Sequence, residues 1–129
     1  MTLGSLDHVY YWTTDMDRAV KFYEEVLGLT LLRRDGSSWA EFEAGPVRLA
    51  LHGSVEGHPV EAGGATAVFV VDDLDTARGG LEDRGVEFGH AAEIGEWARY
   101  ATFRDPDGNT VQIIEYARDS RSERTEEER

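Results

Sequence analysis

The chain repeats itself. Displaced by 58 residues, the stretch HVYYWTTDMDRAVKFYEE that begins at His8 lies over TAVFVVDDLDTARGGLED, which begins at Thr66. In both copies an apolar run of strand type ends in a polar pair suited to capping a helix. An acidic, apolar, acidic step then opens that helix, Asp15-Met16-Asp17 in one copy and Asp73-Leu74-Asp75 in the other. The first helix places Met16, Ala19, Val20, Tyr23 and Val26-Leu27 on one side and stops at Gly28; the second places Leu74, Ala77 and Leu81 and stops at Gly85. Helices this short and one-sided should lie on a sheet.

Three strand-like stretches follow each helix. In the first half they run from about Thr30 to Arg34, Trp39 to Glu43 and Val47 to His52; in the second, from about Glu87 to His90, Tyr100 to Arg104 and Thr110 to Tyr116. The repeat therefore predicts an α+β chain of two βαβββ modules in tandem. A module of about 60 residues is marginal alone, so the two should share one domain over residues 1–117. Module one spans about 5–52, a Gly-rich linker 53–64, and module two about 65–117. The remaining residues, 118–129, hold five acids and four arginines with no aromatic side chain, and are expected to be disordered.

The segment DPDGNTVQIIEY, from Asp105, has the look of a cation loop. A calcium loop of the EF-hand kind needs oxygen ligands at positions one, three and five, Gly at six and Glu at twelve. Here Gly108 comes fourth, Glu115 comes eleventh, and Val111, Ile113 and Ile114 favour a strand over an exiting helix. Asp107-Gly108 instead reads as a tight turn between two strands, with Gly supplying positive φ.

Charge and composition narrow the function classes. The formal net charge of -13 repels phosphate backbones, which argues against nucleic acid and for a cationic ligand. With no cysteine, any metal must be held by His, Asp, Glu or water. No apolar run approaches the roughly 20 residues of a membrane span and no leader pattern precedes the repeat, so a cytoplasmic protein is expected.

The duplicated unit, the opening LDHVYYWTTDMDRAVKFYEEVLGL and the closing FRDPDGNTVQIIE together resemble the vicinal oxygen chelate superfamily of glyoxalases, bleomycin-resistance proteins and extradiol dioxygenases, over roughly residues 5–117. The resemblance implies sheets that form a cup with helices on the outer face and the ligand inside, in many members across a homodimer. It also implies metal ligands on the first and last strands of each module. Those positions map to His8, Thr66, Gln112 and, through an alignment of the two closing hairpins, Leu49. An amide is a poor ligand for zinc or iron, so no metal or other cofactor is expected; a divalent metal, if present, falls to His8 and Gln112. Glu115 and His52 are expected on the opposite strand faces.

If the first strands are regular, His8, Tyr10 and Trp12 share a face, as do Thr66, Val68 and Val70. With Leu49, Leu51, Gln112 and Ile114, and with Trp39 and Tyr100 on equivalent third strands, they give an apolar and aromatic lining suited to an organic ligand. Trp97 is expected at the rim, and His58 and His90 in loops. Two readings that use the cup stay open, beside a third in which the cup is too filled to bind anything and the protein is an interaction module. One is a non-catalytic, bleomycin-resistance-type protein that sequesters an aromatic, cationic compound such as an antibiotic. The other is a metal-dependent glyoxalase-like lyase, isomerase or dioxygenase with a degenerate site.

Overall fold

The structure, a computed structural model, describes residues 5–54 and 64–117. Most of the linker, His58 and the tail at 118–129 lie outside the described residues. The chain divides into two compact units: one holds the first four strands with Asp105–Asn109, and the other holds the second four. Each unit is one βαβββ module with a four-stranded mixed sheet.

In the first module β1 (His8–Thr13) hands over to α1 (Met16–Lys21) through Asp15, whose carboxylate accepts from the Arg18 N–H at 3.1 Å. The cap is thus the first acid of the acidic, apolar, acidic step rather than the Thr pair before it. The helix then widens into a π-helical turn, Phe22–Val26, in which Leu27 N–H reaches back five residues to the Phe22 carbonyl. Strands β2 (Leu31–Asp35), β3 (Trp39–Ala44) and β4 (Val47–Gly53) form an antiparallel meander, and β4 pairs in parallel with β1, giving the order β1-β4-β3-β2. Gly53 is required where β4 ends: a Cβ there would stand 2.1 Å from the Ser37 carbonyl oxygen.

The ladder fixes which side chains meet the helix. Val9, Tyr11, Leu49, Leu51, Ala40 and Phe42 share one face, and Tyr23 packs on Phe42 at 5.8 Å between ring centroids. Phe42, Leu49 and Leu51 are buried there, each stabilising the fold by roughly 1.5–3 kcal/mol. Leu49 and Leu51 are therefore helix-facing core and do not line the face that carries His8.

The Asp105–Asn109 turn belongs to this first unit, and it is a turn, with Gly108 at φ 87°. Its centre is the buried Asp105 carboxylate. One oxygen accepts from the N–H groups of Asp107 and Asn109, and the other from the Asn109 amide and the Tyr23 hydroxyl, at 2.8–2.9 Å. Burial, then the Asp105 charge, push ionisation of the Tyr23 phenol far up, so it stays a donor. Asp107 accepts from Thr14 and Arg18.

The second module repeats the plan with β5 (Ala67–Val70), α2 (Leu74–Asp83), β6 (Phe88–Ile94), β7 (Ala98–Arg104) and β8 (Thr110–Tyr116), in the order β5-β8-β7-β6. Asp73 caps α2 by accepting from Thr76 N–H. Strand β6 runs four residues past the expected end at His90, so His90 sits in a strand rather than a loop. Glu115 faces the helix, as its strand parity requires, and accepts from Leu74 N–H at 2.7 Å and from Arg99 at 3.0 Å. Those two donors hold its carboxyl below the usual carboxylate range.

Candidate ligand-binding site

The helix-free face of the first sheet is built of rings. The β1–β4–β3 ladder places Trp12, His52 and Trp39 in one row, Tyr10, Ala50 and Glu41 in the next, and His8, Arg48 and Glu43 in the third. His8, Tyr10, Trp12 and Trp39 thus come together on one face, as their strand parity predicts. His52 joins them, against the sequence expectation, and Ala50 takes the central position.

The correction has a geometric origin. The β3–β4 turn holds two residues between Ala44 and Val47, whereas the β7–β8 turn holds five between Arg104 and Thr110. Aligning the two hairpins from their far ends carries this difference into β4 as a one-residue slip, and one residue reverses every side chain. Counting outward from each turn pairs Trp39 with His52 and Tyr100 with Ile114, so Ala50, not Leu49, is the counterpart of Gln112.

The rings converge over Ala50. Trp39 lies 5.5 Å from His52, its ladder partner, yet also 5.8 Å from Tyr10 and 5.4 Å from His8, two rows away. Trp12 and His52 are 4.1 Å apart, and Tyr10 is 5.7 Å from Trp12. Ala50 is fully covered, and its single methyl leaves room for the indole to lie across it. Tyr10 is 45 % exposed, which leaves π surface open to a ligand.

Polar groups fix the cluster. Trp39 Nε1 donates to Glu41 at 2.9 Å, and Arg48 donates to the other Glu41 oxygen at 2.9 Å. Those bonds, the indole's first, hold the Glu41 carboxyl below the usual carboxylate range although its side chain is only 13 % exposed. His8 Nδ1 donates to Asp7 at 2.7 Å, a bond that lowers the Asp7 carboxyl. His52 Nδ1 donates to the Gly53 carbonyl at 2.8 Å, which leaves Nε2 as an acceptor.

The matching face of the second sheet is aliphatic. Val68 pairs with Gln112, which pairs in turn with Thr102; Val70 pairs with Ile114, which pairs in turn with Tyr100. Val68 and Val70 are about half exposed. Gln112 donates to Thr102 at 3.4 Å, and Tyr100 bonds His90 at 3.0 Å. Thr66 is exposed and precedes β5, which begins at Ala67. Trp97 occupies the β6–β7 turn and stacks on Tyr116 at 5.8 Å. On the helix side a hollow of about 310 Å³ is lined by Glu93, Glu96, Arg99 and Glu115.

Residues 5–113 match the Glyoxalase/Bleomycin resistance protein/Dioxygenase superfamily, and the chain belongs to it. An uncharacterized protein of Mycolicibacterium smegmatis is 37 % identical over 73 residues, 57 % of this chain and 60 % of that protein, so the match spans less than two thirds of the relative. A solved protein from the mobile metagenome of V. Pseudocholerae is 30 % identical, with 91 % of this chain and 98 % of that one covered at TM-score 0.71. An antibiotic binding protein from Streptomyces sp. CB03234 shares the fold at 24 % identity, 91 % and 99 % coverage and TM-score 0.74.

The family includes metal enzymes, and a catalytic metal site of that kind needs about three protein ligands with His or carboxylate among them. At the strand positions that the resemblance maps to ligands, the first module offers His8 and Ala50 and the second offers Thr66 and Gln112. One imidazole and one amide fall short of a three-ligand catalytic set. Among the described residues no three His, Asp or Glu side chains gather as a metal cluster.

Proposed function

We propose that this protein is a non-catalytic small-molecule binding protein of the bleomycin-resistance type, which sequesters an aromatic, cationic compound, an antibiotic among the candidates, on the ring-lined face of the first module. One observation carries the reading: five rings converge on one sheet face beside an ionised Glu41, with Tyr10 still open. Aromatic faces attract cations through their quadrupole, and a neighbouring carboxylate strengthens that attraction. The Streptomyces antibiotic binding protein supports the reading as an instance of this fold in a protein that binds an antibiotic. The body's acidic balance adds long-range attraction for cations.

The protein acts in this reading without a resident metal, in the cytoplasm, as a homodimer. Exposed Leu6, Val9, Val68 and Val70 lie on or beside the edge strands β1 and β5, and support association with a second copy. Titration of tag-free protein with N-methylacridinium, with and without chelator, tests binding. Saturable, chelator-insensitive quenching of tryptophan fluorescence, with an affinity about tenfold weaker in Trp39→Ala, is the expected result. Absence of saturable binding to this and a broad panel of cationic aromatics overturns the reading.

The second reading, a metal-dependent glyoxalase-like lyase, isomerase or dioxygenase, is favoured by one feature. A carboxylate on Nδ1 of His8 is the arrangement that orients metal-binding imidazoles through Nε2. Elemental analysis after incubation with zinc, nickel, manganese and ferrous iron separates the two: near-stoichiometric metal, lost in His8→Ala, establishes this reading, and none removes it.

A further inference from the structure

We propose that Glu41 is the residue that makes the ring-lined face select cations, and that Arg48 is a tethered cation which an incoming ligand must displace from it. The inference rests on the binding reading above and adds the element of specificity to it.

Rings alone do not discriminate strongly by charge, because any planar molecule gains by stacking on them. A carboxylate among them does. Glu41 lies in the row of Tyr10 and Ala50, so its oxygens stand at the floor of the cluster rather than in open solvent. Its side chain is 13 % exposed, and the Trp39 indole pins one oxygen. The same bond therefore holds the carboxylate against the edge of the indole, beside the rings a ligand would stack on.

The other oxygen faces Arg48, whose side chain is 53 % exposed and reaches Glu41 from the next row. Arg33, the ladder neighbour of Glu41 on β2, is engaged instead by Asp35 at 2.6 Å. Arg48 thus neutralises a mostly covered carboxylate from its solvent side. A ligand cation seated on the rings competes for the same oxygen, and the half-exposed guanidinium is the partner that can leave. A guanidinium that already stands half in water keeps its hydration when it leaves, and the incoming cation takes over the covered carboxylate, so the exchange costs less than breaking a fully buried pair.

The test compares two probes of one shape: N-methylacridinium, a fixed cation, and acridine at mildly alkaline pH, where it is uncharged. The readout is the ratio of their dissociation constants. Glu41→Gln keeps an acceptor for the Trp39 indole and removes the charge; it should cut the preference for the cation by about tenfold, the factor equivalent to 1.4 kcal/mol. Arg48→Ala should raise that preference by a few-fold, through tighter binding of the cation.

An unchanged ratio in Glu41→Gln, with both probes bound, overturns the proposal and leaves the binding reading standing. A lower preference in Arg48→Ala overturns the tethered-cation role. Failure of wild-type protein to bind either probe overturns this inference, and the same failure across a broad panel of cationic aromatics overturns the binding reading with it. Circular dichroism and the Trp fluorescence maximum of each variant guard against a folding defect, and Glu41→Asp supplies a variant that keeps the charge and should retain part of the preference.

Discussion

The two modules share a plan and differ in what they mount on it. At equivalent ladder positions the first sheet carries Tyr10, Trp12, Trp39, His52 and Ala50, and the second carries Val68, Val70, Tyr100, Ile114 and Gln112. One face is a cluster of π systems around a small residue. The other is aliphatic, with a single ring bonded to His90. The helix-facing sides, by contrast, are alike: Ala40, Phe42 and Leu51 in one answer Ala101, Phe103 and Ile113 in the other, all buried. Packing against a helix constrains both copies equally, whereas the open face is free to specialise.

The hairpin turns differ most in consequence. Asp105 satisfies four donors in the second closing hairpin, and the Gly45-Pro46 turn of the first has no such buried carboxylate. Asp105→Ala should therefore cost about 3–5 kcal/mol in urea unfolding, by stranding buried donors including the Tyr23 hydroxyl. Pro46→Ala should stay within about 1 kcal/mol. Equal costs would erase this contrast.

Next in size is the covered methyl of Ala50. Ala50→Leu forces Trp39 off its seat and should cost about 1–3 kcal/mol, with a shifted tryptophan emission. Gln112→Leu at the equivalent position, where no ring lies across the backbone, should change stability by about 0.5 kcal/mol or less.

These positions also show what the sequence could and could not reveal. The repeat, the Asp15 and Asp73 caps, the two βαβββ modules and the helix-facing Glu115 were all legible, because each follows from local pattern or strand parity. The facing of β4 was not, because parity there depends on the length of one turn. A two-residue turn counted back from Gly45-Pro46 was the available signal, and it brings His52 to Trp39. Leu49 and Leu51 looked like lining only through the slipped register. Glu41 was overlooked for another reason: strand parity puts it on the Trp39 face, but an acid two residues from an aromatic reads as solvent-facing until the Trp39 and Arg48 bonds show it engaged among the rings.

On binding, Trp39→Ala should weaken N-methylacridinium by about tenfold, or about 1.4 kcal/mol, near the top of the roughly 0.5–1.5 kcal/mol that a stacked aromatic pair adds beyond its buried area. Tyr100→Ala, its counterpart, should change affinity by less than about twofold, within the error of a typical titration. A reversal of that order would move the site to the second module.

The smallest expected effect is acid sensitivity. The Glu41 and Glu115 carboxyls are both held below their ordinary range in the folded chain, so each contributes stability at neutral pH that is lost as pH falls below about 4, where the unfolded chain takes up protons first. Glu41→Gln and Glu115→Gln should each flatten the acid limb of a urea-midpoint profile, one from each module.

The most direct test of the first module's role is already built into the chain. Trp12 and Trp39 stand on the ring-lined face, and Trp97 stands in the β6–β7 turn of the second module, next to residues that line the acidic hollow. Indole N–H resonances of the three, followed by NMR while N-methylacridinium is added, report each place separately. The account predicts saturable shifts at Trp12 and Trp39 with Trp97 unmoved; shifts confined to Trp97 would contradict it.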